Sequence, residues 1–374
     1  MKKKILQYFL RTLLPSFAIV ASFFLTFNVL GCGSTLSGLS MLSGDFSVPK
    51  ITSFELKEAD LVQLSFTKNV EVSNLSLTLL LENENQEVPC DFSFEEEKLL
   101  LRLQNQMTPG SSYQLDGCVM DENKNILSFS IPFKGFNGRV PSLLISEVRN
   151  AYGSKSINKV KHYKTEFVEL FILEDGNLSG VKIISANDGE EKSYTFPNLE
   201  VKVGSYVTVH MRTIPQDKIT DEILISEIDG DLTASYSLDT SSYAIDLWSE
   251  NSSAVFAQSD VIAVIDSQTG LPLDALCYET YEKKLDTFSE IAELVLQNEN
   301  WLGDPFDASL VTSSAVTRSI ARQNLSSLYA DFKNGLYEEK IISSQASDFL
   351  LVSEVTPGYE NSSSIFTKSK SRKK

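Results

Sequence analysis

The chain is poor in histidine and cysteine, with two and four of them among its 374 residues. Zinc sites and histidine-based catalysis depend on these residue types, so the sequence offers little material for either. Basic residues are also few, because 33 lysines and arginines stand against 50 aspartates and glutamates, for a net charge of −17. A protein that binds nucleic acid needs a basic surface to neutralise phosphates, and this balance argues against DNA or RNA as a partner.

The remaining composition is that of an ordinary globular protein. Hydrophobic residues make up 42% and charged residues 22% of the chain, which is enough to bury a core. The 18 glycines and 11 prolines are too few for collagen-like or proline-rich architectures. The length is typical of roughly two to three domains.

Residues 1–31 have the order of an export signal. A lysine run at 2–4 and Arg11 precede an uncharged, mostly apolar stretch at 12–31. Such a stretch can also span a bilayer, so an uncleaved membrane anchor is the alternative. The motif Val29-Leu30-Gly31-Cys32 favours export, because it resembles the lipobox of bacterial lipoproteins, with Leu30 in place of the commoner alanine or serine.

The lipobox resemblance implies removal of the signal peptide 1–31 and acylation of Cys32. Several acyl chains would hold the protein to membrane lipid, with residues 32–47 as a flexible tether. Loss of the four basic residues of the signal would bring the net charge to −21, so the body would stand off an anionic surface. Gly33 is not the aspartate that some bacteria use for inner-membrane retention, which favours the outer membrane, facing the periplasm or the cell surface.

Residues 48–138 show the period-two alternation of β-strands with one apolar face. Four such runs are expected to turn that face to a common core: Val62/Leu64/Phe66, Leu75/Leu77/Leu79, Cys90/Phe92/Phe94 and Leu99/Leu101/Leu103. The block resembles the bacterial Ig-like domain of the S-layer type. The segments Leu64–Val70 and Met107–Gly110, with Tyr113 and Leu115, carry the resemblance, which implies a small β-sandwich.

Residues 142–365 contain a second β block that resembles a lamin-tail domain, an Ig-like β-sandwich. The resemblance rests on segments in the family's order: Leu144–Val148, Glu166–Ile172, Asn177–Ile183, Tyr194–Pro197, Val203–Val209, Asp260–Val264 and Leu273–Ala275. Residues 213–259 are longer than a compact domain of this kind requires. The predicted fold class is therefore mostly β, with two Ig-like β-sandwich domains in tandem.

A few helices are expected near the C-terminus, as an elaboration at 280–345. Apolar residues at helical spacing predict a helix from Thr287 to Gln297, and a weaker pattern runs from Val316 to Tyr329. Residues 366–374 are rich in lysine and are predicted to be a disordered basic tail.

Neither histidine has a recognisable catalytic setting. Alternation with Val207, Val209 and Met211 predicts that His210 faces solvent, and His162 is expected in a lysine-rich loop. We therefore predict no catalytic residues, no metal and no cofactor. Acidic turns at 229–231 and at Asp266 and Asp274 could contribute to a calcium site, although solvated turns are the commoner outcome.

The other cysteines and the aromatic residues leave alternatives open. Cys90 and Cys118 fall in one predicted sandwich and would reach an oxidising compartment, so a disulfide and two separate buried thiols are both compatible with the sequence. Cys277 is expected to be a buried free thiol. Four aromatic residues of the long segment could rim a glycan or protein site or could belong to the core: Tyr236, Tyr243, Trp248 and Phe256.

The expected function is that of a lipid-anchored envelope protein that acts as a non-enzymatic interaction or adhesion module. Its partner would be a protein or a glycan, which the sequence does not identify. The alternatives are an accessory or hydrolytic envelope protein, nuclease- or phosphatase-like, and a periplasmic protein that braces the envelope. Secreted lamin-tail domains often accompany hydrolases, but residues 280–374 are short and poor in histidine for a metallo-hydrolase domain.

Overall fold

The computed structural model describes residues 46–82, 84–219, 235–280, 290–304, 310–313, 315–336 and 342–367. These residues form two β-sandwiches with a small helical contribution, as the sequence predicted. The predicted signal peptide, Cys32 and residues 368–374 lie outside the described residues.

The first sandwich is built from two four-stranded antiparallel sheets. Its strands are β1 (Ile51–Glu58), β2 (Leu61–Phe66), β3 (Val70–Leu80), β4 (Gln86–Glu87), β5 (Cys90–Glu95), β6 (Lys98–Leu103), β7 (Ser112–Asp121) and β8 (Ile126–Lys134). The strand orders are β1-β2-β6-β5 and β4-β3-β7-β8. Val62, Leu64 and Phe66 are buried between the sheets together with Leu99 and Leu101, which confirms the alternation for these strands.

The expectation for β5 is wrong, because Phe92 and Phe94 do not enter the core. Their side chains are 51% and 39% exposed. In register they lie beside Leu101 and Leu99 of β6, which are fully buried. The two phenylalanines therefore point to the core-facing side, but β5 is the last strand of its sheet and the facing sheet does not cover it.

The second sandwich packs a six-stranded sheet against a five-stranded sheet. Its larger strands are β9 (Leu143–Arg149), β12 (Phe167–Ile172), β14 (Val181–Ser185), β15 (Gly189–Thr195), β17 (Tyr206–His210), β18 (Ala244–Trp248), β19 (Asp260–Asp266), β20 (Pro272–Thr280), β21 (Leu310–Thr312), β22 (Ser319–Arg322) and β23 (Phe349–Val352). The orders are β18-β17-β12-β9-β22-β23 and β15-β14-β19-β20-β21. Two short pairs complete it, β10 (Gly153–Ile157) with β11 (Val160–Lys164) and β13 (Gly176–Asn177) with β16 (Glu200–Val201).

A buried ion pair joins the two sheets of the second sandwich. Arg322 on β22 and Asp274 on β20 are both fully buried, with Nη2 and Oδ2 2.8 Å apart. Arg322 Nε also donates to the carbonyl oxygen of Ile145 at 2.7 Å. Asp274 accepts from the amide of Ile145, so both charged groups are also hydrogen-bonded to the backbone of β9.

Two helices are described in the C-terminal elaboration. Helix α1 spans Glu290–Gln297 and occupies the described part of the helix predicted from Thr287. Helix α2 spans Leu325–Lys333 and overlaps the end of the weaker pattern. The start of that pattern is a strand instead, because β22 inserts between β9 and β23 and all four of its residues are buried. Single 3₁₀ turns lie at Gln216–Lys218 and Ala346–Asp348.

Candidate functional site

The central strands of the six-stranded sheet are buried on both faces, and the outer face carries polar and charged side chains beside an apolar cluster around Leu144 and Phe171. One face packs in the apolar core through residues such as Val148, Val168 and Val209. On the other face, one cross-strand row joins Ala321, Glu147, Glu169, Thr208 and Asp246. A second row joins Arg149, Phe167, His210 and Trp248. We call these two rows the polar face.

Glu147 and Glu169 stand side by side at the centre of the polar face, and both are fully buried. Burial raises the pKa of Glu147 to about 7. Burial raises the pKa of Glu169 well above its usual range, and the neighbouring Glu147 carboxylate raises it further. Two buried carboxylates at paired positions of neighbouring strands disfavour ionisation of both groups at once, so the pair holds a proton near neutral pH.

Both carboxylates bind a loop near the C-terminus. Glu147 accepts the amide of Thr356 at 3.1 Å and the hydroxyl of Ser319. Glu169 accepts the amide of Gly358 at 2.5 Å and the Ser146 hydroxyl at 3.0 Å. The pair therefore anchors the loop 356–361 to the sheet.

His210 is fully buried, so the prediction that it faces solvent is wrong. Its Nδ1 lies 2.8 Å from Thr165 Oγ1, and its Nε2 lies 3.4 Å from Asp246 Oδ1. The imidazole stacks on the indole of Trp248 with ring centroids 4.0 Å apart. Alternation identified its face correctly, but Thr165, Asp246 and Trp248 pack around the ring on that face and exclude solvent.

An ion pair lies at the end of the second row. Arg149 Nη2 is 2.6 Å from Asp239 Oδ2, and the Arg149 side chain is fully buried. Arg149 Nε donates to the carbonyl oxygen of Thr165 at 2.7 Å. The guanidinium also lies over the ring of Phe167, so the loop around Asp239 is tied to the sheet.

Two exposed tyrosines lie above the polar face, and we call them the tyrosine surface. Tyr243 is 67% exposed and Tyr359 is 51% exposed, with ring centroids 4.9 Å apart. Tyr243 follows Ser241, whose amide donates to Asp246 Oδ2 at 2.8 Å. Tyr359 follows Gly358, whose amide donates to Glu169. Buried carboxylates thus hold the backbone just before each ring.

The close contact between the two loops depends on Gly358. Its φ of +79° lies in the left-handed region, and a Cβ there would stand 2.4 Å from Ser241 Oγ. A glycine is required on both counts. The loops therefore meet with little freedom beneath the two rings.

Of the four aromatic residues singled out from the sequence, Tyr243 is the one that reaches the surface as a large exposed ring. Phe256 is buried in the sandwich core. Tyr236 and Trp248 are partly buried and pack around Tyr163 and Ile214. The sequence did not single out Tyr359, because its partner is more than a hundred residues away in the chain.

Neither Cys90 nor Cys118 is bridged in the structure. Cys90 on β5 packs at the margin of the first core. Cys118 on β7 alternates with the buried Val119, so its side chain points to the other face of that sheet. The disulfide that the sequence left open is therefore absent between these residues. Cys277 is a buried free thiol, as predicted, and burial raises its pKa.

His162 lies in a strand, β11, rather than in the predicted loop, and it pairs with Lys155 of β10. Asp266 caps its own turn by accepting the amide of Gln268 at 3.0 Å, and Asp274 is held by Arg322. The acidic turn at 229–231 lies outside the described residues.

In the described part of the chain, no three His, Cys, Asp or Glu side chains come close enough to hold a metal ion. None of the helices described is long and apolar enough to cross a membrane.

The buried glutamates were missed at the sequence level. Each lies within an apolar strand segment, Glu147 in Leu-Leu-Ile-Ser-Glu-Val and Glu169 in Phe-Val-Glu-Leu-Phe-Ile. Alternation would have assigned both to solvent, as it did His210. A charge inside a segment that is otherwise apolar on both faces was the available signal.

Comparison with known proteins relates this chain to a protein of Treponema pallidum (strain Nichols) that carries the name "Uncharacterized protein". The two are 33% identical over 177 residues, which are 47% of this chain and 41% of the relative. The alignment thus spans less than half of the relative's length.

Two solved structures show weaker likeness. A DUF4876 family protein from Bacteroides thetaiotaomicron is 12% identical, with 68% of this chain and 84% of that chain covered and a TM-score of 0.28. The N-terminal part of the bacterial S-layer protein SbsC is 15% identical, with 34% and 41% covered and a TM-score of 0.23. Scores this low carry no functional argument.

A family profile described as the TP_1001 protein second domain matches residues 141–351. That range covers more than half of the chain and contains all residues of the polar face. The chain belongs to the TP_1001 second-domain family.

Proposed function

We propose that this chain is an exported lipoprotein, acylated at Cys32, that acts as a non-enzymatic interaction or adhesion module of the bacterial cell envelope. The tyrosine surface is the observation that supports an interaction role. The lipobox-like motif supports the anchor, with the outer membrane favoured.

Two exposed tyrosines in mutual contact are well suited to binding. Tyrosine offers a large amphipathic contact area at a low cost in side-chain entropy, and it is enriched in interfaces. Because Asp246 and Glu169 hold the backbone beside each ring, little further ordering would be needed when a partner binds.

The burial of the polar face supports a structural role for its charged groups. His210, Thr165 and Asp246 have no exposed surface, so a substrate would have no approach to them. Asp246 accepts the amide of Ser241, and Glu169 accepts the amide of Gly358, so carboxylates of this face position the loops that carry the tyrosines. A nuclease- or phosphatase-like activity would need groups that touch the substrate.

The binding role is tested with the full-length chain in nonionic detergent on arrays of glycans and matrix proteins. We expect binding that falls about tenfold or more in the double variant Tyr243→Ser/Tyr359→Ser. The control is Leu336→Ser, since Leu336 is 67% exposed, as Tyr243 is, and lies elsewhere. Equal loss in the control, or metal-dependent hydrolase turnover by the wild type, would argue against this function.

The anchor is tested by metabolic labelling with a fatty-acid analogue. We expect label on the wild type and none on Cys32→Ser, because the thiol accepts the diacylglycerol. Equal label on both would exclude acylation at Cys32. Protease accessibility on intact cells then separates surface exposure from a periplasmic location.

A further inference from the structure

We propose that the open edge of β5 is a second binding site, which takes an extended cationic peptide segment as an added strand. The proposal concerns the first sandwich and does not depend on the tyrosine surface.

The β5 edge offers unpaired backbone. β5 pairs with β6 along all six of its residues and is the end of the order β1-β2-β6-β5. Within the described residues, no strand pairs with its other side. An unpaired edge presents a row of amide and carbonyl groups to which another strand can add.

The β5 edge also carries uncovered apolar side chains. Phe92 and Phe94 are exposed although their register neighbours on β6 are fully buried. They lie on the core-facing side of the sheet, at its margin, where the facing sheet does not cover them. Apolar side chains on an added strand would continue the core at this point.

The opposite face of β5 is acidic. Asp91 and Glu95 alternate with the phenylalanines, and both are exposed. Arg102, the register partner of Asp91, forms its ion pair with Asp60, at 3.0 Å. From Asn69 to Glu97 the chain has eight acidic residues and no lysine or arginine.

The charge around this edge acts on a neighbouring group. Burial raises the pKa of the Cys90 thiol, and the Asp91 and Glu87 carboxylates raise it further. On β6 the register partners of Asp91 and Glu95 are Arg102 and Lys98, so the eight acidic residues of this segment outnumber the two basic residues beside them. This excess of negative charge favours a cationic partner.

These features specify the partner's pattern. A strand added to β5 continues the pleat, so its alternate side chains face Phe92 and Phe94 on one side and Asp91 and Glu95 on the other. The complementary segment alternates apolar and basic residues.

The test uses the full-length chain in nonionic detergent and a synthetic peptide of about eight residues, a usual strand length, in which valine alternates with lysine. A peptide of the same composition with its lysines grouped at one end is the comparison. We expect the alternating peptide to bind about tenfold or more tightly than the grouped one. Equal affinity would mean binding by charge alone and would overturn the proposal.

Backbone pairing is tested by N-methylation of the peptide, which leaves the protein unchanged. An added strand pairs through one of its edges, so methylation of one alternate set of amides should abolish binding and methylation of the other set should preserve it. Equal effects of the two sets would exclude strand addition.

The site is located with the variant Phe92→Ser/Phe94→Ser. We expect it to lose about tenfold or more in affinity for the alternating peptide with an unchanged melting temperature. Ile126→Ser is the matched control, because Ile126 is 56% exposed on β8, an edge strand of the other sheet. An equal loss of affinity in the control would overturn the assignment. Self-association of the protein that depends on Phe92, without any peptide binding, would also overturn it.

Discussion

Gly358 shows how one residue determines whether two loops can meet. It has a left-handed backbone, it donates its amide to Glu169, and it lies where any side chain would collide with Ser241. The same backbone geometry occurs at Gly204, where φ is +80° but nothing lies within 4 Å of the site of a Cβ. A side chain at Gly204 would introduce backbone strain alone, whereas a side chain at Gly358 would introduce strain and a collision, so comparing the two positions separates these costs.

We predict that Gly358→Ala destabilises the protein more than Gly204→Ala. Both share the left-handed penalty of about 1 kcal/mol, and the collision adds about 1–3 kcal/mol at Gly358 alone. Urea denaturation of the two variants measures the difference in the free energy of unfolding. Equal losses would show that the loops yield to the extra methyl group.

At the scale of the element, burial depends on what covers a strand. β12 and β17 are buried on both faces, and their outer faces carry glutamate, threonine and histidine. β5 has the same alternation of apolar residues as its neighbours but remains exposed at the sheet margin. Charges on β9 and β12 are tolerated because loop amides and hydroxyls satisfy them.

Buried carboxyl groups make the free energy of unfolding depend on pH. Burial raises the pKa of Glu147 to about 7 and that of Asp260 to about 6, both above their values in an unfolded chain. The native state therefore binds more protons between about pH 4.5 and 7, so the free energy of unfolding falls as pH rises through this window. The contribution of Glu147 is on the order of 3 kcal/mol, complete at the acid end and lost above about pH 7.

We predict that Glu147→Gln reduces this dependence, and the part due to Asp260 remains. Urea denaturation of wild type and variant between about pH 5 and 8 gives the slope of the free energy of unfolding against pH for each protein. The general repulsion among acidic residues affects both proteins alike, so the difference between the two slopes belongs to Glu147. A slope of the same size in the variant would contradict the assignment to Glu147.

At the scale of the whole molecule, two separate apolar cores are joined by a polar junction. One core lies around Leu64 and Leu101, and the other around Val168 and Val264. Asn137 connects them, since its Nδ2 donates to the carbonyl oxygens of Asn177 at 2.7 Å and Ser179 at 3.0 Å. Its backbone also exchanges hydrogen bonds with the side chain of Gln268.

We predict that Asn137→Ala exposes the junction without unfolding either core. The side chain of Asn137 also accepts the amide of Arg139, so its loss frees the backbone beside a trypsin site. Limited trypsin digestion followed by mass spectrometry should show cleavage after Arg139 several-fold faster than in the wild type. An unchanged rate would mean that Gln268 and the remaining contacts hold the junction alone, and general unfolding would appear as cleavage throughout the chain.

Local patterns in the sequence were enough to predict many strands of both sandwiches, such as β2, β6, β12 and β19, and the helix that ends at Gln297, but they did not predict β11 or β22. Period-two and helical spacing are set by residues close together in the chain. Such local patterns are sufficient to predict an element that has one buried face and one exposed face. Val62, Leu64 and Phe66 are buried as the pattern required. The export signal is likewise a property of local order and remains a prediction.

The tertiary structure decided what covers each face, because covering depends on segments far apart in the chain. His210 is buried because Thr165, Asp246 and Trp248 pack around its ring. Phe92 is exposed because, within the described residues, no strand lies beyond β5. Tyr243 and Tyr359 form one surface because two buried carboxylates bring their loops together. Alternation specifies which side a residue faces, and only the packing of distant segments determines whether that side is core or solvent.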